Sequence, residues 1–476
     1  MSAMIFGISL VGIKSPEQEK KDRVKIVNRY GICFIAFLKC PTKVIYYYFC
    51  PKKMRVLIIG SGGREHAIAW KISKSPLLTK LFCAPGNPGT LAVAENLEID
   101  IKDFESIKKA VIDNSINMVV VGPEDPLVNG LRDYFESDSQ LKEVIFIGPG
   151  SCGARLEGSK DFAKAFMQRW GIPTAKYKSF DSSTVKDADR FLESLRAPYV
   201  LKADGLAAGK GVLIIDNLRE AKSELREILS GKFGKAGDKV VIEEFLQGIE
   251  LSVFVLTDGE NYLILPEAKD YKRICDGDKG LNTGGMGAVS PVPFADKLFM
   301  TKVEERVIKP TVEGLKRECP DYKGFVFIGL MNCGGSPYVI EYNVRMGDPE
   351  TEAVMPRIKS DLLSHLIALG KGKLDEEKIE IYNHTALTLV MVSGGYPQEY
   401  HKGYEITGIE SFKGETLFHS GTADKEGKVV TNGGRVLALT VTESDIIRGR
   451  ERLYNLVELI DFKDKYFRRD IGLDLI

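Results

Sequence analysis

The sequence predicts a multidomain α/β and α+β protein. An N-terminal open parallel sheet leads into a core of two α+β subdomains, and a small β-rich C-terminal domain closes the chain. Three observations predict it. From Met54 onward, short apolar strands alternate with amphipathic helices, the pattern of a parallel α/β sheet. The middle of the chain is rich in strands that stop at glycine-rich loops. The last stretch, from about Thr385, carries apolar strands and ends on an amphipathic helix. A chain of 476 residues holds roughly three or four ordinary domains. Boundaries are expected at 1–53, 54–172, 173–244, 245–380 and 381–476.

The elements follow in order. In residues 1–53 the apolar runs 32–38 and 44–50 are separated by Lys39 and Lys43, and each is too short for a membrane helix. The charges of 17–23 are misplaced for a signal peptide. The first clear structural signal is the strand MRVLIIG, so Met54 is the expected physiological start, a short appendage or targeting arm being the alternative. MRVLIIG runs into SGGREHAIAWKISKS, then KLFCAPGN, the helix FESIKKAVIDN, NMVVVGPEDP, a further helix and VIFIGPG. Each of these strands ends in a Gly- or Pro-rich loop, and ligands bind at the carboxyl ends of such strands. A helix at 160–171 precedes the loop 202-KADGLAAGKGV-212. The strands KVVIEEFL, ELSVFVL, NYLILPEA, GFVFIGLM and YVIEYNV make the middle α+β. A helix near 361–369 and the strands ALTLVMV and GGRVLALTV follow, then a helix with Ile446, Leu453, Val457 and Ile460 on one face.

Bulk composition narrows the function. The chain is 44% hydrophobic and 28% charged, as in ordered globular proteins. Lys+Arg and Asp+Glu are both 66, so no global field favours nucleic acid or an anionic membrane. The 8 cysteines form no CxxC pair, which predicts free thiols in a reducing compartment.

The most informative stretch is 340-IEYNVRMGDPET-351. With a period of two, Glu341, Asn343 and Arg345 share one face while Ile340, Tyr342 and Val344 share the other. Gly347 and Pro349 then stop the strand. Glu341 and Asn343 are hard oxygen donors suited to Mg²⁺, and Arg345 suits a transferring phosphoryl group. The loop 60-GSGGREHA-67 follows a strand and opens a helix, so it can hold a phosphate. Glu65 stands where a dinucleotide fingerprint needs its third glycine; taken alone the loop is equally a tight turn. The loops 84-APGNPGT-90 and 122-GPEDPL-127 open onto the same edge. The 202–212 loop can close over ATP phosphates, or be a mobile surface hairpin, with Lys160 and Lys202 as further phosphate candidates. In 243-EEFLQGIE-250 the backbone can meet an adenine edge and leave an acid for the ribose. The small residues of 280-GLNTGGMGAVSP-291 imply close backbone approach. No metal spacing joins the histidines, and no Ser/His/Asp or Cys/His constellation is evident.

Taken in order from Met54 to Ile476, these motifs resemble the ATP-grasp superfamily and, within it, the phosphoribosylamine–glycine ligase family. LEGSK, VVTNGGRV and RRDIG complete the set. The resemblance implies an ATP-grasp core and ATP-dependent ligation of glycine to 5-phosphoribosylamine through a glycyl phosphate, in purine biosynthesis. It implies that Glu341 and Asn343 bind Mg²⁺ (or Mn²⁺), and that Lys160, Lys202, Gly205, Gly209, Lys210 and Gly211 hold ATP phosphates. Glu243, Glu244, Phe245, Leu246 and Glu250 hold the nucleoside, and Arg345, Asp270 and Lys272 are catalytic. Gly60, Gly62, Gly63, Arg64, Glu65, Asn87, Gly89, Thr90, Pro123, Glu124 and Asp125 bind substrate, as do Asn282, Thr283, Gly284 and Gly285. A cytoplasmic monomer acting on small molecules is expected, with no nucleic-acid or membrane partner.

Two departures stand out. Tyr271 occupies a position where the family often has His, which leaves Asp270, Lys272 and Arg273 of that run. Residues 325–331 offer no second metal-binding acid, so a second ion would lean on ATP oxygens and water. The rival expectations are a biotin-carboxylase-like enzyme, which would need a biotin carrier, and a non-catalytic nucleotide or phosphosugar sensor, which would need a broken metal pair.

Overall fold

The computed structural model describes residues 23–27, 33–37, 46–48, 53–207, 211–412 and 416–476. Gly209 and Lys210 of the expected phosphate loop lie outside them. The chain divides into two units, Met1–Lys53 and Met54–Ile476. In the first, the strands Arg23–Val27, Cys33–Phe37 and Tyr46–Tyr48 pair antiparallel in that order.

The second unit opens on a five-stranded parallel sheet. Its spatial order is Glu95–Asn96, Leu78–Pro85, Met54–Gly60, Met118–Val121, Ile145–Ile147. Val56, Leu57, Ile58 and Ile59 are all fully buried, as expected for a central strand covered on both faces. The chain runs outward on one side of Met54–Gly60 and then returns to place Met118–Val121 on the other. The topological switch point therefore lies at the loops after Gly60 and Val121, where such sheets bind ligands.

Two antiparallel four-stranded sheets follow. One has the order Val212–Ile215, Tyr199–Ala203, Lys239–Glu244, Tyr177–Asp181, with the helices Val185–Ser194 and Leu218–Glu227 packed on it in a separate small core. The other has the order Tyr262–Ile264, Ile249–Thr257, Gly324–Cys333, Ser336–Asn343. Its apolar face is continuous with the N-terminal sheet: Leu57 and Val119 belong to the same core as Phe166, Val253 and Ile328. Each such side chain contributes about 1.5–3 kcal/mol on burial.

The strand Ser336–Asn343 corrects one expectation. Gly329 lies opposite Glu341 and Leu330 opposite Val339, so Ile340 is an extra residue, a β-bulge. Tyr342 and Val344 are buried as the alternation requires, but Ile340 is only half-buried. A strict period of two cannot survive an inserted residue.

The last sheet is antiparallel, in the order Lys269–Asp270, Gly287–Ser290, Thr385–Val392, Arg435–Glu443, Thr416–His419. Two of its strands come from before residue 381, so the expected boundary there passes through a sheet. The helix Ile446–Val457 is capped by Asp445, whose side chain accepts the Arg448 N–H, and it buries Ile446, Leu453 and Val457; Ile460 is buried just beyond it.

The free-thiol expectation fails at one pair. Cys152 and Cys319, 167 residues apart, are joined as a disulfide with their Cα atoms 5.6 Å apart. Sequence spacing carries no sign of a pairing made by tertiary packing. Among the described residues no helix is long and apolar enough to cross a membrane.

Candidate active site

The bulge at Ile340 shapes the site. It turns the Ile340 carbonyl toward Lys202, whose Nζ donates to it at 3.1 Å. Lys202 also pairs with Glu243 Oε1 at 3.0 Å, while Lys164 donates to Glu243 Oε2 at 2.8 Å and to Thr174 Oγ1 at 2.7 Å. Glu243 is 3% exposed, and its carboxylate is held by two lysines. Its side chain, expected to hold the nucleoside, is engaged here by Lys164 and Lys202. Burial works against its charge, yet Lys202 and Lys164 keep the carboxyl below its ordinary range. Burial brings Lys164 down to about 8, against the pull of Glu243.

Beyond the bulge, Glu341 faces a ring of cations. Burial opposes its charge, but Lys272, Lys202, Lys160 and Arg345 together hold its carboxyl low. Lys272 bridges Glu250 at 2.9 Å and Glu341 at 4.0 Å. Burial disfavours the Lys272 ammonium, and Glu250, Asp270 and Glu341 outweigh it, raising its pKa. Glu250, Asp270, Lys272 and Glu341 line one small cleft with Ser252 and Gly329. Lys160 reaches the carbonyl of Gly205 at 3.1 Å, tying the helix Lys160–Arg169 to the base of the 202–212 loop. Phe245 is exposed beside this strand end, and Glu244 accepts the Lys176 N–H at 2.8 Å.

Arg345 belongs to a second cluster. It pairs with Glu157 at 2.7 Å and Glu124 at 3.2 Å, joining the core strand to the GPEDPL loop and the LEGSK helix. Glu157 also accepts the Val344 N–H at 2.8 Å. Burial pushes the Glu157 carboxyl up to about 7 despite Arg345. Arg64 donates to Glu65 Oε1 at 2.7 Å and to the Met346 carbonyl at 3.3 Å. Arg435 pairs with Asp348 at 3.0 Å and donates to the Gly284 carbonyl at 2.6 Å.

The N-terminal loops are braced from within. Glu65 itself fills the switch-point crevice: Oε2 accepts the Gly62 N–H at 2.6 Å. A Cβ at Gly60 would lie 2.5 Å from the Glu65 side chain, and one at Gly122 only 2.0 Å. These glycines make room for Glu65. Likewise a Cβ at Gly63 would strike Glu352, and one at Gly89 would strike His66 and His419. Asn87 is 5% exposed: Nδ2 donates to Ser61 and His419 carbonyls, and Oδ1 accepts the Gly89 and Thr90 N–H groups. It braces its loop, and Thr90 is buried with it. Pro123 is half-buried and Asp125 exposed at the rim beside Glu124. Asn282 is exposed, and Thr283 donates to the Lys272 carbonyl at 2.8 Å. Gly285, at φ +117°, leaves no room for a Cβ against Pro349.

Four residues of these clusters carried no sequence signal for a site role: Glu157, Lys164, Asp348 and Arg435. Glu157, Asp348 and Arg435 sit inside the motifs LEGSK, GDP and GGRV, and only tertiary packing brings them to Arg345 and Gly284. A serine–histidine–acid trio also went unseen. His365 lies between Ser360 Oγ at 2.7 Å and Glu377 Oε2 at 2.5 Å. Ser360 Oγ accepts the Glu380 N–H as well, so the trio ties a loop to the helix Leu362–Gly370.

The donors at Glu341 and Asn343 fit a hard divalent cation. One is an ionised carboxylate with Lys272, Lys202 and Lys160 near it, the other an amide on the same strand face.

Comparison with known proteins agrees with this layout. Residues 54–157, 158–351 and 386–474 match the N, ATP-grasp (A) and C domains of phosphoribosylglycinamide synthetase. The chain is 43% identical over 420 residues to a phosphoribosylamine–glycine ligase of Caldanaerobacter subterraneus, spanning 88% of this chain and 99% of that one. It is similar to the crystal structure of the Thermotoga maritima phosphoribosylamine–glycine ligase, with a TM-score of 0.77 and 37% identity over 88% of this chain and all of that one (100%). A biotin carboxylase of Campylobacter jejuni shares the fold, with a TM-score of 0.65 at 16% identity over 88% of this chain and 94% of that one.

Proposed function

The chain belongs to the phosphoribosylglycinamide synthetase family, and on that premise we propose how its residues join glycine to 5-phosphoribosylamine. The reaction consumes ATP and gives glycinamide ribonucleotide, ADP and phosphate in purine biosynthesis, with Mg²⁺ or Mn²⁺ as the metal. A carboxylate is a poor electrophile until one of its oxygens becomes a phosphate leaving group. The site must therefore phosphorylate glycine and hold the acyl phosphate away from water until the amine attacks.

Lys160 and Lys202 hold ATP phosphates beneath the 202–212 loop, and Glu243 keeps Lys202 aimed. Phe245, Leu246 and Glu250 flank the nucleoside. Glu341 and Asn343 hold the metal, which when bound neutralises charge on the transferring phosphoryl group. Asp270 and Lys272 orient the reacting carboxylate, and Arg345 stabilises the acyl phosphate. Arg64, Glu124 and the loops at 60–65, 122–125 and 282–285 receive the phosphoribosylamine. The amine domain spans 54–172, the lid 173–244 and the metal-bearing core 245–380, whose strands Lys269–Asp270 and Gly287–Ser290 complete the sheet of the C-terminal domain 381–476. The protein works as a cytoplasmic monomer on small molecules, and its balanced charge argues against nucleic acid.

One observation carries the assignment. A single strand end presents Glu341 to Lys160, Lys202 and Lys272, and four residues later Arg345 meets Glu124 of the amine-side loop. The nucleotide half and the amine half thus meet at one guanidinium. The test is ADP release by the full chain with Mg·ATP and glycine, with and without fresh phosphoribosylamine. Release needing both, with glycinamide ribonucleotide as product, is expected. Release driven by bicarbonate, or nucleotide binding without turnover, would refute it.

A further inference from the structure

The run Lys269–Arg273 has two faces. Asp270 and Lys272 point into the cleft beside Glu250 and Glu341. The alternate residues are gripped by the end of the chain. Lys269 Nζ pairs with Asp474 Oδ2 at 3.0 Å, and the Tyr271 hydroxyl donates to Asp474 Oδ1 at 2.5 Å while accepting the Gly472 N–H at 2.8 Å. Arg468 donates to the Arg273 carbonyl at 3.0 Å and lies 5.1 Å from the centre of the Tyr271 ring. Its guanidinium forks onto both carboxylate oxygens of Asp470 at 2.7 Å and reaches Asp278 at 2.7 Å. Asp470 in turn accepts the Gly277 N–H at 2.7 Å, and Asp276 accepts the Arg469 N–H at 2.9 Å. Arg468 is 1% exposed, an arginine buried with its donors satisfied.

We propose that residues 468–474 form a positioning element for the active site, holding the odd-numbered face of 269–273 so that Asp270 and Lys272 are presented to the cleft at a fixed depth. The inference rests on the role proposed above for Asp270 and Lys272. The contacts are specific: Lys269 and Tyr271 face the tail while Asp270 and Lys272 line the cleft, and Tyr271 and Lys272 are the two residues that join the strand Lys269–Asp270 to Arg273–Cys275, so a grip on 269 and 271 constrains 270 and 272. Tyr271 is 2% exposed and faces the tail, so it acts as an anchor and not as a group in the cleft. The grip also crosses sheets. Lys269–Asp270 is an edge strand of the C-terminal sheet, while Glu250 and Glu341 sit on the core sheet. The two sheets meet at the Ser252–Ala268 backbone pair just before Lys269, and the tail holds the run beyond it, on which the Lys272–Glu250 contact depends. A displacement of about 1 Å at a reacting group costs on the order of 100-fold in rate.

The test uses the full chain and three substitutions outside the cleft. Asp474→Ala removes the partner of both Lys269 and Tyr271, whereas Asp474→Asn keeps an acceptor for the Tyr271 hydroxyl. Arg468→Lys keeps the charge and loses the fork. We expect Asp474→Ala to lower kcat about tenfold. Asp474→Asn should restore kcat to within about threefold of the parent, and Arg468→Lys should lower kcat as Asp474→Ala does. A tail that merely stabilises the fold would lower the melting temperature of Asp474→Ala and leave kcat unchanged well below it, which overturns the proposal. Equal loss in Asp474→Ala and Asp474→Asn also overturns it, since the acceptor would then be irrelevant. Should Arg468→Lys fail to fold, the Asp474 pair decides alone, as that residue lies near the chain end and is half-exposed. A parent chain with no glycine- and amine-dependent ADP release refutes the functional reading itself, and an active parent with unaffected variants refutes only the tail.

Discussion

The strand end at Glu341–Arg345 and the loop at Gly60–Glu65 look alike in sequence, each a dense run of glycine and charge, yet they are built for opposite purposes. At the strand end the charged side chains stand in a cleft among partners of opposite sign, with Glu341 facing Lys272, Lys202 and Lys160. At the loop the charge turns inward. Glu65 is buried, and Gly60, Gly62 and Gly122 are small because its carboxylate needs their space. Glycine clusters signal close approach; they do not say whether a ligand or the protein's own side chain makes it.

The comparison breaks most visibly by paired substitution. Glu341→Ala should lower kcat about 100- to 1000-fold, a loss of the size seen when a group at the developing charge is removed. It should leave the melting temperature nearly unchanged, because the side chain is partly open to the cleft. Gly122→Ala should act first on stability. Its Cβ would lie 2.0 Å from Glu65 Oε1, and Glu65 cannot swing away while Gly62 and Arg64 hold it. Overpacking of this kind destabilises by about 1–3 kcal/mol. Steady-state kinetics and thermal unfolding on both variants check the pair. A Glu341→Ala protein with full activity would remove the strand end from the site.

The next effect concerns stability within the nucleotide half. Glu243→Gln keeps the shape and removes the charge shared by Lys164 and Lys202. Leaving buried charges uncompensated costs about 3–5 kcal/mol. Lys164 is already brought down to about 8 by burial, so above that pH it sheds its proton more readily and the penalty shrinks. Denaturant unfolding at pH 7 and pH 9 should therefore show a larger deficit at pH 7. Equal deficits would mean that the lysines tolerate each other without Glu243.

How much of this was legible in the sequence follows from the range over which each feature acts. The parallel N-terminal sheet, the β-rich core and the closing helix are written in local periodicity, and Glu341, Asn343 and Arg345 emerge from a period of two. The bulge at Ile340 was invisible, because an inserted residue is defined by its neighbour strand Gly324–Cys333. The disulfide, the Lys164–Glu243–Lys202 chain and the Arg435–Asp348 pair join residues far apart along the chain. The bracing done by Asn87 and Glu65 was hidden for a related reason. A polar residue in a glycine-rich loop reads as a ligand contact until its hydrogen bonds to Ser61, His419 and Gly62 are seen.

Glu157 gives the smallest effect and joins the two regions. Its carboxyl stands at about 7 in the fold against an ordinary 4.5, raised first by burial, with Arg345 pulling it back. A carboxyl raised in the folded state contributes stability that is fully present below about 4.5 and is lost as pH rises through about 7. Glu157→Gln stays neutral throughout, so at pH 8 the variant should be at least as stable as the parent. Function should move the other way. Only the ionised carboxylate pairs fully with Arg345, so parent kcat should fall as pH drops below about 7. Glu157→Gln should lose that limb and run a few-fold slower at pH 8, because Gln still accepts the Val344 N–H but no longer holds the guanidinium by charge. The measurement is a pH series of kcat with matched unfolding curves. A variant that keeps the parent's acid limb would place the titrating group elsewhere and leave Arg345 anchored by Glu124 alone.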